Sequence, residues 1–198
     1  MAGTRGSARG RLLEAADRLF YAEGIHTVGI DRLIAEAGVA KGSLFYNFSG
    51  KDELVGAYLS RRQDDRRDRI ERHQVGRVDP VDRLLAIFDA LAESVSAPTF
   101  NGCPFMNAAA EAAAGSVEAD AVQRFRQWLG STIRDLTAAV GVRDVDDVAR
   151  QIRVLYDGAT AMAQLDHDPD AVRLAGDMAR GLLEDARTGP ATPRVAVD

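Results

Sequence analysis

The sequence predicts an all-α fold of about nine helices, on three observations. Apolar residues recur at helical spacing along almost the whole chain. No segment sustains a period-two alternation bounded by turn pairs. Helix start and stop signals punctuate the chain between the periodic stretches. With 198 residues, 46% of them hydrophobic and 28% charged, the chain has the composition of a globular protein with a real core.

The elements follow in order. Leu12, Ala16, Leu19 and Phe20 form one face of a first helix that stops near Gly24, and Ile30, Leu33, Ile34 and Ala37 form one face of a second that stops at Gly38. The third helix, about 42–48, is only two turns long. A fourth opens at "SGKDELVGAYL", with Ser49 as cap and Asp52 three residues later in a capping-box arrangement, and runs to about Gln74. Asp79-Pro80 and Asp168-Pro169 each place a capping acid before a proline suited to the first helical turn, so each starts a helix. The remaining helical segments fall at about 81–96, 104–114, 117–140 and 146–165. The tail "TGPATPRVAVD", 188–198, has no periodicity and reads as disordered.

No apolar run approaches the ~20 residues that span a bilayer, and the N-terminus carries charges where a signal peptide has an uninterrupted apolar stretch. The expected location is cytoplasmic, with no membrane partner. Cys103 is the sole cysteine, which excludes an intrachain disulfide and a cysteine-based zinc site. No metal or cofactor is expected. The net charge is −5, yet Arg5, Arg9 and Arg11 precede the first acidic residue, and residues 1–48 are slightly positive where the remainder is negative. A basic arm on an acidic body fits one end that meets a polyanion, and a merely solvated tail is the competing reading.

The short third helix is the informative element. A helix, Gly38, the turn Val39-Ala40-Lys41 and a second short helix make a helix-turn-helix, whose second helix enters a major groove. Isolated helices shorter than ~12 residues are marginal in water, so this one must be held by neighbours. Leu44 and Phe48, spaced i and i+4, can face the first two helices, which leaves Lys41, Ser43, Phe45 and Asn47 on or near the other side. Asn pairs with an adenine edge, Lys with guanine or phosphate, and an aromatic ring touches a thymine methyl or the sugar backbone. Lys51 opposes the dipole of the helix it begins, which a phosphate beside that helix end would explain. A tolerated surface lysine is the bland alternative.

"LFYAEGIHTVGIDRLIAEAGVAKGSLFYNFSGKDELVGAYL" resembles the DNA-binding region of the tetracycline-repressor (TetR) family of transcriptional regulators, over roughly residues 8–60. The resemblance implies a helix-turn-helix domain over 1–48, and an effector-binding and dimerisation domain over 49–187, linked by the fourth helix at about 49–74. It further implies a homodimer formed through the last two long helices, double-stranded operator DNA as partner, and a small-molecule effector. Lys41, Ser43, Phe45, Tyr46, Asn47 and Lys51 fall where such regulators contact DNA, with Arg5 and Arg9 on the basic arm. Two positions depart from the family pattern. Phe45 stands where many members have Tyr. Gly29 stands where a Thr or Ser usually caps the second helix, with Thr27 as the neighbouring candidate cap.

Farther along, Val148, Ile152, Leu155, Ala159 and Met162 form one apolar seam and Val172, Ala175, Ala179 and Leu182 another. Gly158, Ala161, Ala163, Gly176 and Gly181 recur on the same helices, and close approach of a helix compensates for glycine there. That helix belongs either to a second copy or to the same chain. Phe88, Phe100, Cys103, Met106, Asn107, Phe125, Trp128, Tyr156 and Met162 are the candidate lining of an apolar effector pocket, with ordinary core packing as the competing role. Cys103 at a helix start is a candidate redox sensor or an inert buried thiol.

An enzyme reading would need Cys103 as nucleophile or "DHDPD" at 166–170 as a metal cluster. The first lacks a histidine partner arrangement, and the second is better explained by Asp168 capping a helix. The reading is therefore a ligand-responsive repressor and not an enzyme, against the alternative of a constitutive DNA binder without an effector.

Overall fold

The computed structural model describes residues 6–188. Among them are nine helices and no strand: α1 Ala8–Glu23, α2 Ile30–Ala37, α3 Lys41–Asn47, α4 Lys51–Gln74, α5 Pro80–Val95, α6 Pro104–Glu111, α7 Val117–Val140, α8 Val145–Leu165 and α9 Asp170–Thr188. The all-α class is therefore as the sequence predicts. Arg5 and the tail beyond Thr188 lie outside the described residues.

The described residues form two compact units. One holds the chain up to Asp65 together with Cys103–Phe125, and the other holds Arg66–Gly102 together with Arg126 onward. Both α4 and α7 contribute to each unit.

In the first unit α1, α2 and α3 pack around Leu12, Leu19, Phe20, Leu33 and Leu44. The Ser7 hydroxyl accepts from the Gly10 N–H to start α1, and the Gly24 N–H closes it by donating to the Phe20 carbonyl. Gly38 ends α2 at φ 60°, ψ 44°, donating to Ala35, while the Val39 N–H donates to Ile34. This paired closure satisfies two helix-end carbonyls and needs a left-handed residue, which glycine supplies without a Cβ clash. Phe20 meets Tyr58 of α4 edge-on at 5.6 Å. The Arg62 guanidinium lies 4.1 Å above Tyr21 and 2.7 Å from the Asp17 carboxylate, tying α4 to α1.

In the second unit α5, α8 and α9 pack together. Asp79 caps α5 through the Val81 N–H with Pro80 in the first turn, as expected. Asp144 caps α8, and the Asp168 carboxylate accepts from the Asp170 N–H where α9 begins. Leu84, Ile87, Leu91, Leu129, Ile133, Ile152, Ala179 and Leu183 fill the core.

The structure corrects three expectations of detail and decides between two readings of a fourth. At the start of α4 it is Glu53, not Asp52, whose carboxylate reaches back, accepting from the Ser49 N–H at 2.6 Å. The helix begins at Lys51, which puts Glu53 in the third helical position. That bond lowers the Glu53 pKa. Next, α6 stops at Glu111 rather than 114: Ala112 is extended at φ −71°, ψ 129°, and the chain then turns at Gly115, φ +74°, into α7, where the Ser116 hydroxyl accepts from the Ala119 N–H. Tertiary demand overrides the helical preference of the alanines. Thr27 does not cap α2, whose N-cap is Gly29 with no side-chain bond. Finally, of the two occupants left open for the seams on α8 and α9, the chain's own core takes most of their residues, while Met162 stays exposed. Val148, Ile152, Ala159, Val172, Ala175 and Ala179 are buried, and Gly176 backs onto Phe88.

Candidate nucleic-acid interface

Two turns of α3 divide cleanly into a buried and an exposed side. Leu44 and Phe48 are at most 1% exposed, held by α1 and α2. Phe45 is 50% and Tyr46 89% exposed, an uncommon display of two adjacent aromatics. Lys41 is exposed, and Ser43 and Asn47 are half-buried at the edge. No Cβ placed on Gly42 would meet another group within 4 Å, so the outer side is open at that position as well.

The polar groups on this surface are held to different degrees. Lys41 Nζ is 3.2 Å from Asp31 Oδ1, and both side chains are largely exposed. Asn47 Nδ2 donates to the Ser43 carbonyl at 2.7 Å, which uses one of its two N–H donors and leaves a second donor with the Oδ1 acceptor. An amide held in one rotamer in this way reaches a base edge with less loss of freedom than a free one.

Two cations gather where α3 ends. The Arg9 guanidinium lies 4.9 Å over the Phe48 ring, and Lys51 Nζ is 5.9 Å from the Phe20 centroid. Aromatic faces thus orient both positive groups without neutralising them. Thr27 and Gly29 are exposed before α2, and no side chain of this turn caps the helix.

The candidate effector residues divide between the units. In the first, Cys103 and Phe125 are buried, Phe125 stacks on Phe105 with centroids 3.7 Å apart, Asn107 is half-buried, and Met106 is exposed. In the second, Phe88 and Tyr156 are buried with centroids 6.0 Å apart. There Phe100 and Trp128 are half-buried, and Met162 is exposed. A half-open cleft of about 350 Å³ lies between α5 and α9 of this unit. Phe88, Leu85 and Val172 line it beside Arg77, Asp89 and Arg180, so of the nine candidates Phe88 alone reaches it.

Sequence reasoning missed three groups. Arg66, buried in the second unit, donates to the Tyr156 hydroxyl. Glu111, at the end of α6, accepts from the backbone of the α1–α2 loop. Glu118 is buried 3.4 Å from His26 Nε2. Burial alone would raise the Glu118 pKa, but its own backbone N–H, the Ser116 hydroxyl and His26 outweigh that and lower it. Glu111 sits between two alanine triplets and carries no local sign of its contact.

Among the described residues no helix is long and apolar enough to cross a membrane, and no cluster of three or more His, Cys, Asp or Glu could hold a metal ion.

Comparison with known proteins bears on both parts of the chain. Residues 12–58 match the family model described as bacterial regulatory proteins, tetR family, and residues 80–179 match the one described as tetracyclin repressor-like, C-terminal domain. The crystal structure of SCO4454, a TetR-family transcriptional regulator from Streptomyces coelicolor, superposes with a TM-score of 0.83 at 38% identity, covering 91% of this chain and 96% of that one. The HTH-type transcriptional regulator LmrA of Bacillus subtilis is 32% identical over 88 residues, 44% of this chain and 47% of its own length. The HTH-type transcriptional repressor KstR2 of Mycobacterium tuberculosis is 30% identical over 95 residues, 48% of each chain. The chain thus spans about half the length of these curated relatives.

The division of α3 into two sides makes a stability contrast. Phe48→Ala should cost about 3–5 kcal/mol, whereas Tyr46→Ala should stay within about 0.5 kcal/mol of the parent. Urea unfolding followed by circular dichroism measures both, and equal losses would mean that Tyr46 is packed.

Proposed function

The chain belongs to the TetR family of transcriptional regulators, and from that premise we propose that it is a repressor that releases a palindromic operator when a small molecule binds its C-terminal part. The observation that carries the reading is α3, which is pinned by Leu44 and Phe48 while Phe45 and Tyr46 stand in solvent beside Lys41, Ser43 and Asn47. A soluble domain that exposes two neighbouring aromatics among donors and cations has the chemistry of a groove reader. Lys51, Arg9 and Lys41 supply phosphate contacts. Asn47 and Ser43 supply base contacts.

A palindrome requires two copies, and α8 and α9 offer the surface. Behind their buried seams they present Val154, Met162, Leu165, Leu174 and Met178 to solvent, with Leu165 73% and Val154 66% exposed. Gly158 and Gly181 lie on the same outward sides, where a Cβ would meet nothing within 4 Å. Residues 154, 158, 162 and 165 recur at 4-4-3 spacing and 174, 178 and 181 at 4-3, so each helix carries one outward stripe. An apolar stripe with small residues between large ones fits the same stripe of a second copy related by a two-fold axis.

The DNA side is tested by salt. Lys51→Ala should weaken binding to all duplexes similarly and make the salt slope shallower by about one unit, whereas Asn47→Ala should cost about 1–3 kcal/mol at particular base pairs only. Titrations at several salt concentrations against a library of operator variants read both effects. An unchanged slope removes Lys51 from the contacts, and a uniform loss removes Asn47 from base reading.

For assembly, Met178→Glu should convert the dimer to monomer in sedimentation velocity without loss of helix content, since it introduces a charge that only a partner would bury. Ala159→Glu should instead unfold the chain, because Ala159 is 4% exposed within its own unit. A Met178→Glu dimer would move the interface elsewhere.

For the effector, linkage fixes the sign. A compound that lowers operator affinity by some factor must bind the operator complex more weakly by that same factor. Fluorescence of Trp128, over which Arg67 lies at 5.4 Å, offers the titration signal. Equal ligand affinity with and without operator would favour the constitutive binder.

A further inference from the structure

We propose that Glu111 is a positioning residue for DNA binding, which clamps the loop leading into the helix-turn-helix from the end of α6. Glu111 Oε1 accepts from the Ile25 N–H at 3.1 Å and Oε2 from the His26 N–H at 2.7 Å. Two successive backbone N–H groups aimed at one carboxylate form a small anion-binding concavity, here filled by the protein itself. Gly24 completes it. At φ +90° it adopts a conformation that L side chains rarely take, and a Cβ there would lie 3.1 Å from Glu111 Oε1. The His26 ring adds a second hold, 3.4 Å from the buried Glu118 carboxylate at the start of α7.

Helix stability gives no reason for this acid. A carboxylate in the last turn of a helix faces the negative end of the dipole, so its place at the end of α6 is unfavourable unless something else uses the charge. The loop needs what Glu111 supplies, since α2 starts at Gly29 without a side-chain cap. Ile25, one of the two clamped residues, and Val28 just beyond them are buried. The paired closure at Gly38 then carries the orientation of α2 on to α3. The position of the loop therefore sets the angle at which Phe45 and Tyr46 leave the surface. This inference rests on the reading that α3 meets DNA.

The test uses the full chain and a duplex that the wild-type protein selects from a randomised pool. Glu111→Gln keeps the shape but sets an amide N–H₂ against one of the two donors. Operator affinity should fall about tenfold with the salt slope unchanged, since charge-assisted bonds to a fixed loop are lost and no phosphate contact is. Amide exchange at Ile25 and His26 should accelerate by at least about tenfold while helix content stays that of the parent. A merely structural role would lower stability and leave the affinity of the folded protein unchanged. Undiminished or tighter binding by Glu111→Gln overturns the positioning role alone, as do unchanged exchange rates at both amides. Should Glu111→Gln lose helix content, Glu111→Asp, too short to reach both donors, is expected to bind about threefold more weakly, and parental affinity there overturns the role. If the wild-type protein enriches no duplex, the DNA-binding reading fails and the positioning role falls with it.

Discussion

Burial of Leu44 and Phe48 beneath α3 is the constraint from which the rest of the first unit follows. A helix of two turns forms too few internal bonds to offset its nucleation, so its conformation is imposed by the surface it lies on. That surface is assembled from Leu12, Leu19 and Phe20 of α1 with Leu33 of α2. The Gly38 closure fixes how α2 hands the chain to α3. Because two residues do the anchoring, the others on the helix are released from packing. A reader of DNA needs that separation, since a side chain that must meet a base edge contributes little to stability while it waits in water.

Much of this was legible in the sequence because it is local. The i, i+4 pair Leu44 and Phe48, the glycine stops at 24 and 38, and the Asp-Pro start of α5 each depend on residues within one or two turns. Failures came where one residue's role depended on its neighbours' exact register or on distant chain. Ser49 with Asp52 has capping-box spacing, but starting the helix at Lys51 moves the function to Glu53. Alanines 112–114 favour helix, yet the backbone is extended at Ala112 and turns at Gly115. Glu111 meets residues more than eighty positions away, and no spacing rule reaches that far.

The α8 and α9 pattern shows a different limit. A 4-3-4-3 seam states that a helix has an apolar side without stating what lies against it. Here the seams bind the chain to itself, and a second apolar stripe, from Val154 to Leu165 and from Leu174 to Gly181, is left outside. The sequence blurs the two because each helix has apolar residues on two sides, so the strongest periodicity marks the chain's own core. The glycines separate them. Gly176 is backed by Phe88 within its unit, whereas Gly158 and Gly181 face open space.

Charge on the first unit presents an apparent conflict, since several of its cations are already paired. Lys41 meets Asp31, Arg18 meets Glu36 and Arg32 meets Glu23, at 2.7–3.2 Å. Magnitudes resolve it. An exposed ion pair contributes about 0–1 kcal/mol, and Lys41 and Asp31 are both more than half exposed. A polyanion carries one charge every ~1.7 Å of helix axis and gains counterion release when a lysine replaces its condensed ions, a term that an isolated carboxylate cannot match. If Lys41 meets a phosphate as proposed, giving up Asp31 would cost it little. Asp31 holds the Lys41 ammonium at the start of α3, and a weak pair that would be poor evidence for stability suits a group proposed to exchange its carboxylate for a phosphate.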